Sequence, residues 1–168
     1  MSSRHDPADD VDAIVDAWRR ERPDLDVEPL HVFSRVSRLA RLLDLDRVRA
    51  FSRHQLEGWE FDVLSALRRA GVPYQLSPGR LVQETLVTSG TMTNRIDRLA
   101  TKGWVERLPS PTDRRGVIVR LTTAGQACVD AAMADLLTRE RQLLDDLSAQ
   151  ERRALTGALK RLLTPFEA

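Results

Sequence analysis

Residues 88–125 read TSGTMTNRIDRLATKGWVERLPSPTDRRGVIVRLTTAG, and the hydrophobic period changes inside them. Met92, Ile96 and Leu99 recur at steps of four and three, which predicts a helix with these side chains inward and Asn94, Arg95 and Arg98 outward. Gly103 supplies its stop. Beyond it the period falls to two: Val105 and Arg107 share one side, and Val117, Val119 and Leu121 alternate with Ile118, Arg120 and Thr122. Two strands are predicted to form a hairpin. Their connection, Pro109 to Gly116, is too long for a tight turn and carries Asp113, Arg114 and Arg115, so its tip should project into solvent as a wing.

Helices are predicted on both sides of this stretch. Ser77 followed by Pro78 reads as an N-cap with proline at the first helical position, opening a short helix to about Leu86. Ser52 with Gln55 matches a capping box ahead of Leu56, Trp59, Val63, Leu64 and Leu67, and Gly71 closes that run. Thr123 with Gln126 opens a long helix through Val129, Ala132, Leu136, Leu143 and Leu147; Ser148 with Glu151 caps a last one through Leu155, Leu159, Leu162 and Phe166. At the other end, residues 1–9 are polar and expected to fray. Val11, Ile14, Val15 and Trp18 then mark an amphipathic helix that Pro23 ends, and Phe33, Val36, Leu39, Ala40 and Leu43 mark a longer one.

The expected architecture is mainly α with a small β-hairpin wing: a winged helix-turn-helix between N- and C-terminal dimerisation helices. Its expected segments are 1–29 (a flexible start and extra helix), 30–51 (a dimerisation helix), 52–122 (the DNA-binding domain) and 123–168 (the C-terminal dimerisation helices). The terminal stripes exceed what the small central unit can cover, so a homodimer is expected, with an intramolecular bundle as the alternative.

Composition narrows the function. The 168 residues suit one compact domain with arms, and net charge is +1, with 26 Lys+Arg against 25 Asp+Glu. The distribution is uneven: residues 1–32 hold four arginines against nine acids, whereas residues 88–120 hold seven cations against three acids. A basic patch thus lies on a neutral molecule. The single cysteine, Cys128, excludes an intramolecular disulfide and a cysteine metal cluster and suits a reducing cytosol, so a cytoplasmic protein is expected. No leader and no apolar run near the ~20 residues of a membrane span is present, and no membrane partner is expected. His5, His31 and His54 lack a metal-ligand spacing, so neither a metal site nor a cofactor is expected. Cys128 lies near the apolar stripe of its helix and reads as inert packing rather than a peroxide sensor.

Helix, short helix, turn, second helix and wing is the order of a fold whose second helix enters the major groove of double-stranded DNA. Thr88, Ser89, Gly90 and Thr91 offer hydroxyls and helix-start N–H groups to phosphates, Asn94, Arg95 and Arg98 are donors of the types that read base edges, and Arg114 and Arg115 suit a narrow minor groove. Ser77, at the start of the preceding helix, joins this DNA-binding set. No nucleophile with an adjacent base and no phosphate-cradling loop supports an enzyme, and no catalytic residues are assigned. A non-enzymatic architectural DNA-binding dimer stays open as an alternative.

The runs Gly90-Thr91-Met92-Thr93-Asn94-Arg95-Ile96-Asp97-Arg98-Leu99, Lys102-Gly103-Trp104-Val105, Asp113-Arg114-Arg115-Gly116 and Leu121-Thr122-Thr123-Ala124-Gly125 together resemble the MarR family of transcriptional regulators over roughly residues 30–165. The resemblance implies a symmetric dimer, most often a repressor, on a palindromic operator. Asn94 and its neighbours would then lie in the major groove and Arg115 in the minor groove, braced by Asp113. The acidic extra helix with its tryptophan is most like the urate-responsive branch of PecS and HucR. By that likeness Trp18, Asp62, Arg95 and Arg107 form a site for a small anionic aromatic ligand such as urate. Two guanidiniums would attract the anion, and Asp62 would repel it and so drive a switch. Another aromatic or phenolic ligand is the alternative.

Overall fold

The computed structural model describes residues 8–111 and 116–167, in two compact units that divide after Val48. Residues 1–7, which hold most of the expected frayed start, and the wing-tip residues Asp113, Arg114 and Arg115 lie outside the described residues.

In the first unit, α1 (Asp10–Glu21) starts because the Asp9 carboxylate accepts the Val11 and Asp12 amides while Asp12 returns to the Asp9 amide. Val11 and Val15 from α1 and Val27 from the following loop are buried, with Leu30 of α2 (Pro29–Ser52) against them. Arg35 of α2 ties the two helices from outside. Its Nε and Nη2 each lie 2.9 Å from Asp9, its Nη2 lies 2.8 Å from Asp12, and its Nη1 donates to the His31 carbonyl at 2.8 Å.

The second unit takes in the last turn of α2, where Phe51 stacks on Phe61 with ring centroids 4.1 Å apart. It continues with α3 (Gly58–Arg69), β1 (Gln75–Leu76), α4 (Pro78–Thr85), α5 (Ser89–Thr101), β2 (Val105–Pro109), β3 (Val117–Leu121), α6 (Thr123–Leu143), α7 (Ala149–Leu163) and a 3₁₀ turn, Thr164–Phe166. Leu64 and Leu67 of α3, Leu81 of α4, Met92, Ile96 and Leu99 of α5, Val119 of β3 and Ala132 of α6 form one buried core. A fully buried leucine of this kind contributes about 1.5–3 kcal/mol, so this core holds the helix-turn-helix in shape.

Several expected signals are where the residues put them. Ser77 caps α4 with Pro78 inside its first turn, Ser148 and Glu151 cap α7 reciprocally, and Gly71 and Gly103 take positive φ just beyond α3 and α5. Two expectations are corrected. Ser52 does not open α3: its hydroxyl donates to the Arg49 carbonyl at the end of α2, Gln55 takes φ +58°, and the box that starts α3 is Glu57 with Glu60. Similarly, α6 is capped by Thr122, whose hydroxyl accepts the Gly125 amide at 3.0 Å, one residue before the expected start.

The wing is also more than a hairpin. β2 and β3 pair antiparallel from Val105↔Leu121 to Pro109↔Val117, and β1 adds a third antiparallel strand through Gln75↔Arg120 and Leu76↔Val119. Across the β3–α6 junction Gly125 approaches the Trp104 carbonyl so closely that a Cβ there would lie 2.1 Å from the oxygen.

Both terminal regions leave apolar side chains uncovered. Phe33, Val36, Leu39, Leu42 and Leu45 are exposed along α2, as are Leu155, Leu159, Leu162 and Leu163 along α7, which buries no residue at all.

Candidate nucleic-acid interface

The helix α5 is built to present one face and hold two flanks. Its buried residues Met92, Ile96 and Leu99 define the core side, and at 3.6 residues per turn Asn94 lies about 170° away from their centre. Asn94 is accordingly exposed. At the start of the helix, the Thr88 hydroxyl accepts the Thr91 amide at 3.4 Å and meets the Thr91 hydroxyl at 2.9 Å. Ser89 and Gly90 are exposed beside them, and a Cβ added at Gly90 would meet nothing within 4 Å. Ser77 accepts the Arg80 amide at 3.3 Å, so its oxygen serves as the cap of α4.

Arg95 and Arg98 are drawn to one side of Asn94, although Arg98 keeps 57% of its side chain exposed. Their guanidiniums lie 5.3 and 4.7 Å from the centroid of the Trp59 ring, and Arg98 also donates to Glu57 at 2.7 Å. Cation–π attraction and a carboxylate thus hold both along one flank of α5. The indole N–H of Trp59 donates to the other Glu57 oxygen at 2.6 Å. These two contacts, the indole first and Arg98 after it, hold the Glu57 carboxyl below the ordinary range.

Arg107 of β2 occupies the opposite flank. It lies 2.6 Å from Asp97 and 3.5 Å from the Thr93 carbonyl, both about 160° round the helix from Arg95. The two arginines that the resemblance assigns to one ligand are therefore held apart by the width of α5. Asp62 lines a different place, a cavity of about 200 Å³ between α3 and the end of α4, with Ser65, Arg69, Glu84 and Leu86. The Ser65 hydroxyl there is buried with no hydrogen-bond partner among the described residues. Trp18 belongs to the first unit, on the exposed side of α1.

Among the described residues no group of histidine, cysteine or acid side chains could hold a metal, and no helix is long and apolar enough to cross a membrane. His54 pairs with Asp135 at 2.8 Å, and His31 contacts Arg35 and Asp12. The Cys128 thiol is half-buried, points to the His54 carbonyl at 3.6 Å, and burial pushes its pKa up.

What sequence reasoning missed here is the partner set on α3. Trp59 had been read as an apolar core residue, and Glu57 and Glu60 carried no signal, because their partners Arg98 and Lys102 are far away along the chain.

Residues 54–116, which span α3 to the foot of β3, match the MarR family. Over 157 residues the chain is 40% identical to the HTH-type transcriptional regulator PecS of Dickeya dadantii, covering 92% of this chain and 95% of that protein. The crystal structure of a mutant MarR from Escherichia coli complexed with operator DNA superposes with a TM-score of 0.62 at 32% identity, over 83% of this chain and 99% of the other. A third likeness is to BpsR of Bordetella bronchiseptica, in a structure described as the mechanism for regulation of its DNA binding by 6-hydroxynicotinic acid. That match has a TM-score of 0.58 at 27% identity, over 76% of this chain and 98% of the other. PecS and MarR are transcriptional regulators rather than enzymes, and the MarR structure that this chain resembles holds operator DNA. The chain belongs to the MarR family of transcriptional regulators.

Proposed function

We propose that this regulator is a cytoplasmic homodimeric repressor that grips a palindromic operator and releases it when a small anionic aromatic ligand, such as urate, binds. The observation that carries the proposal is the double restraint on α5. Trp59 and Glu57 hold one flank, Arg107 holds the other, and Asn94 is exposed near the middle of the outer face. Thr88, Ser89, Gly90 and Thr91 then meet phosphates, Asn94 reads a base edge, and the tip residues Asp113, Arg114 and Arg115 serve the minor groove, as the family resemblance implies.

A second copy of the chain is the natural cover for the leucines left exposed on α2 and α7, since contiguous apolar surface of this kind is costly in water. Two copies related by a twofold axis place two reading helices on a palindrome.

Arg95 and Arg107 support the ligand reading because each is a restraint on α5 as well as a cation. An anion that captures either one competes with Trp59 or with Asp97, and the helix loses that tie. By linkage, DNA and ligand then weaken each other, and about 1–3 kcal/mol of coupling would lower operator affinity five- to hundredfold. In the likeness to the urate-responsive branch Asp62 would repel the anion and Trp18 would be its aromatic wall, although Asp62 lines a separate cavity and Trp18 belongs to the first unit. The regulation of BpsR by 6-hydroxynicotinic acid favours a second candidate of the same chemistry, a hydroxylated aromatic acid.

The deciding experiment titrates urate, and separately 6-hydroxynicotinate, into the protein bound to the DNA upstream of its own coding sequence. Release by one of them is expected at millimolar concentration or below, whereas normal DNA binding with no release by either removes the ligand reading. Competition by random DNA at fixed salt separates a repressor from an architectural dimer, which would show no preference.

A further inference from the structure

We infer that Glu60 and Lys102, with Trp59 and Glu57 beside them, form a positioning device that fixes the rotation of α5 about its own axis and thereby sets which bases the helix selects. The inference rests on α5 being the reading helix.

Glu60 is the one charged side chain buried among the described residues, with 0% of its surface exposed. Oε2 accepts from Lys102 Nζ at 2.8 Å and from the Glu57 amide at 2.9 Å, whereas Oε1 makes no hydrogen bond among the described residues and is held by charge, 2.6 Å from the same ammonium. The ammonium reaches the Gln55 carbonyl at 3.4 Å and sits 4.5 Å from the centroid of the Trp104 ring. Lys102 is the C-cap of α5, so this knot ties the end of the helix to the start of α3.

Stability does not account for such a pair. Removing a carboxylate from water is costly, and two apolar side chains of similar volume at such a site commonly hold a fold as well or better. What an ion pair adds is direction: it is satisfied in one arrangement only. Here the arrangement repeats along the helix. Arg95, Arg98 and Lys102 follow at steps of three and four, within about 60° of one another round α5, and all three find partners in residues 55–60. A helix tied along one stripe cannot roll without breaking a tie.

Rolling matters because base reading is short-ranged. With side-chain tips about 5–6 Å from the helix axis, a roll of about 20° moves Asn94 by about 2 Å, enough to lose a bidentate contact with a base edge. Contacts to phosphates, made by flexible side chains and several N–H groups, tolerate that displacement far better. The device therefore governs preference among sequences more than affinity for DNA as such. It also engages three cations of α5 with groups of the protein itself.

The test begins with selection of a preferred duplex from a random-sequence pool by the wild-type protein, followed by its affinity for that duplex and for a shuffled one at fixed salt. In the double variant Glu60→Met with Lys102→Met, the preference is expected to fall at least about tenfold, with shuffled-DNA affinity within about twofold and the melting temperature unchanged or higher. Glu60→Gln, which keeps an oxygen for the Glu57 amide, provides the same comparison if the double variant does not melt cooperatively. Glu57→Gln, at an exposed position, frees Arg98 and should steepen the salt dependence of binding by about one charge. An unchanged preference in a cooperatively folded Glu60 variant overturns the inference. A wild-type protein that selects no motif refutes base reading by α5 instead.

Discussion

The Arg107 guanidinium lies 2.6 Å from the Asp97 carboxylate, so the first strand of the wing is fastened to the flank of α5 that faces away from Trp59. Both groups are well exposed, and such a pair adds about 0–1 kcal/mol to stability. On the proposed ligand reading its effect belongs to regulation. Asp97→Asn removes the internal competitor for Arg107, and the concentration of urate that releases half the DNA is expected to drop severalfold, while Arg107→Gln should raise it. Titration of the DNA complex by fluorescence anisotropy checks both; equal midpoints for wild type and Asp97→Asn would remove Arg107 from the ligand site.

Two substitutions separate reading from gripping. Asn94→Ala is expected to flatten preference between operator and random DNA at a cost of about 1–3 kcal/mol. Arg115→Ala should weaken binding to every sequence and reduce the salt slope. If Arg115→Ala leaves affinity and slope as they were, the wing tip does not touch DNA.

Acid should loosen α1 before it affects the wing. The Asp9 carboxyl is held below the ordinary range chiefly by its hydrogen bonds from Arg35, and that of Asp12 by the Asp9 amide and then by Arg35. Groups with depressed folded-state pKa values stabilise the fold above the unfolded value, and that contribution disappears as pH falls through the folded one. Below about pH 4, therefore, the α1–α2 tie should weaken. The indole resonance of Trp18 is expected to shift as pH falls below about 4 while that of Trp104 stays, and Arg35→Gln should show the loosened Trp18 signal already at neutral pH. Identical Trp18 signals in both proteins would contradict this.

Cys128 should be a slow thiol. Burial, and after it the charge of Glu60, raises its pKa, so the nucleophilic thiolate is scarce at neutral pH. Modification by an aromatic disulfide reagent is expected to lag free cysteine at least about tenfold, and Cys128→Ser should keep DNA binding in the presence of peroxide. Loss of binding on mild oxidation of the wild type alone would mark a redox role.

Gly125→Ala is expected to be among the most damaging single-methyl additions in the chain. The new Cβ would sit 2.1 Å from the Trp104 carbonyl oxygen, so backbone has to move, and a loss of about 3–4 kcal/mol in urea unfolding is expected. A change under about 1 kcal/mol would mean that the junction yields easily.

Local signals in the sequence located most elements because they act over three or four residues: Ser77-Pro78, Ser148 with Glu151, and the glycines at 71 and 103 lie where the chain turns. Ser52 with Gln55 failed for the same local reason. The spacing matched a cap, but α2 ran on through Ser52, and Glu57 and Glu60 capped α3. β1 has two residues, too few to show any period. On α5, periodicity separated the core face from the rest, yet it could not distinguish Asn94, which points out, from Arg95 and Arg98, which lie against Trp59. That distinction depends on side chains brought together from across the chain.

The contact between Gly125 and the Trp104 carbonyl has a mechanical consequence. With the Thr122 hydroxyl also donating to the Gly103 carbonyl at 2.8 Å, the first turn of α6 is seated on Gly103 and Trp104, the link between α5 and β2. A displacement of the first turn of α6 is therefore passed directly to the foot of the wing.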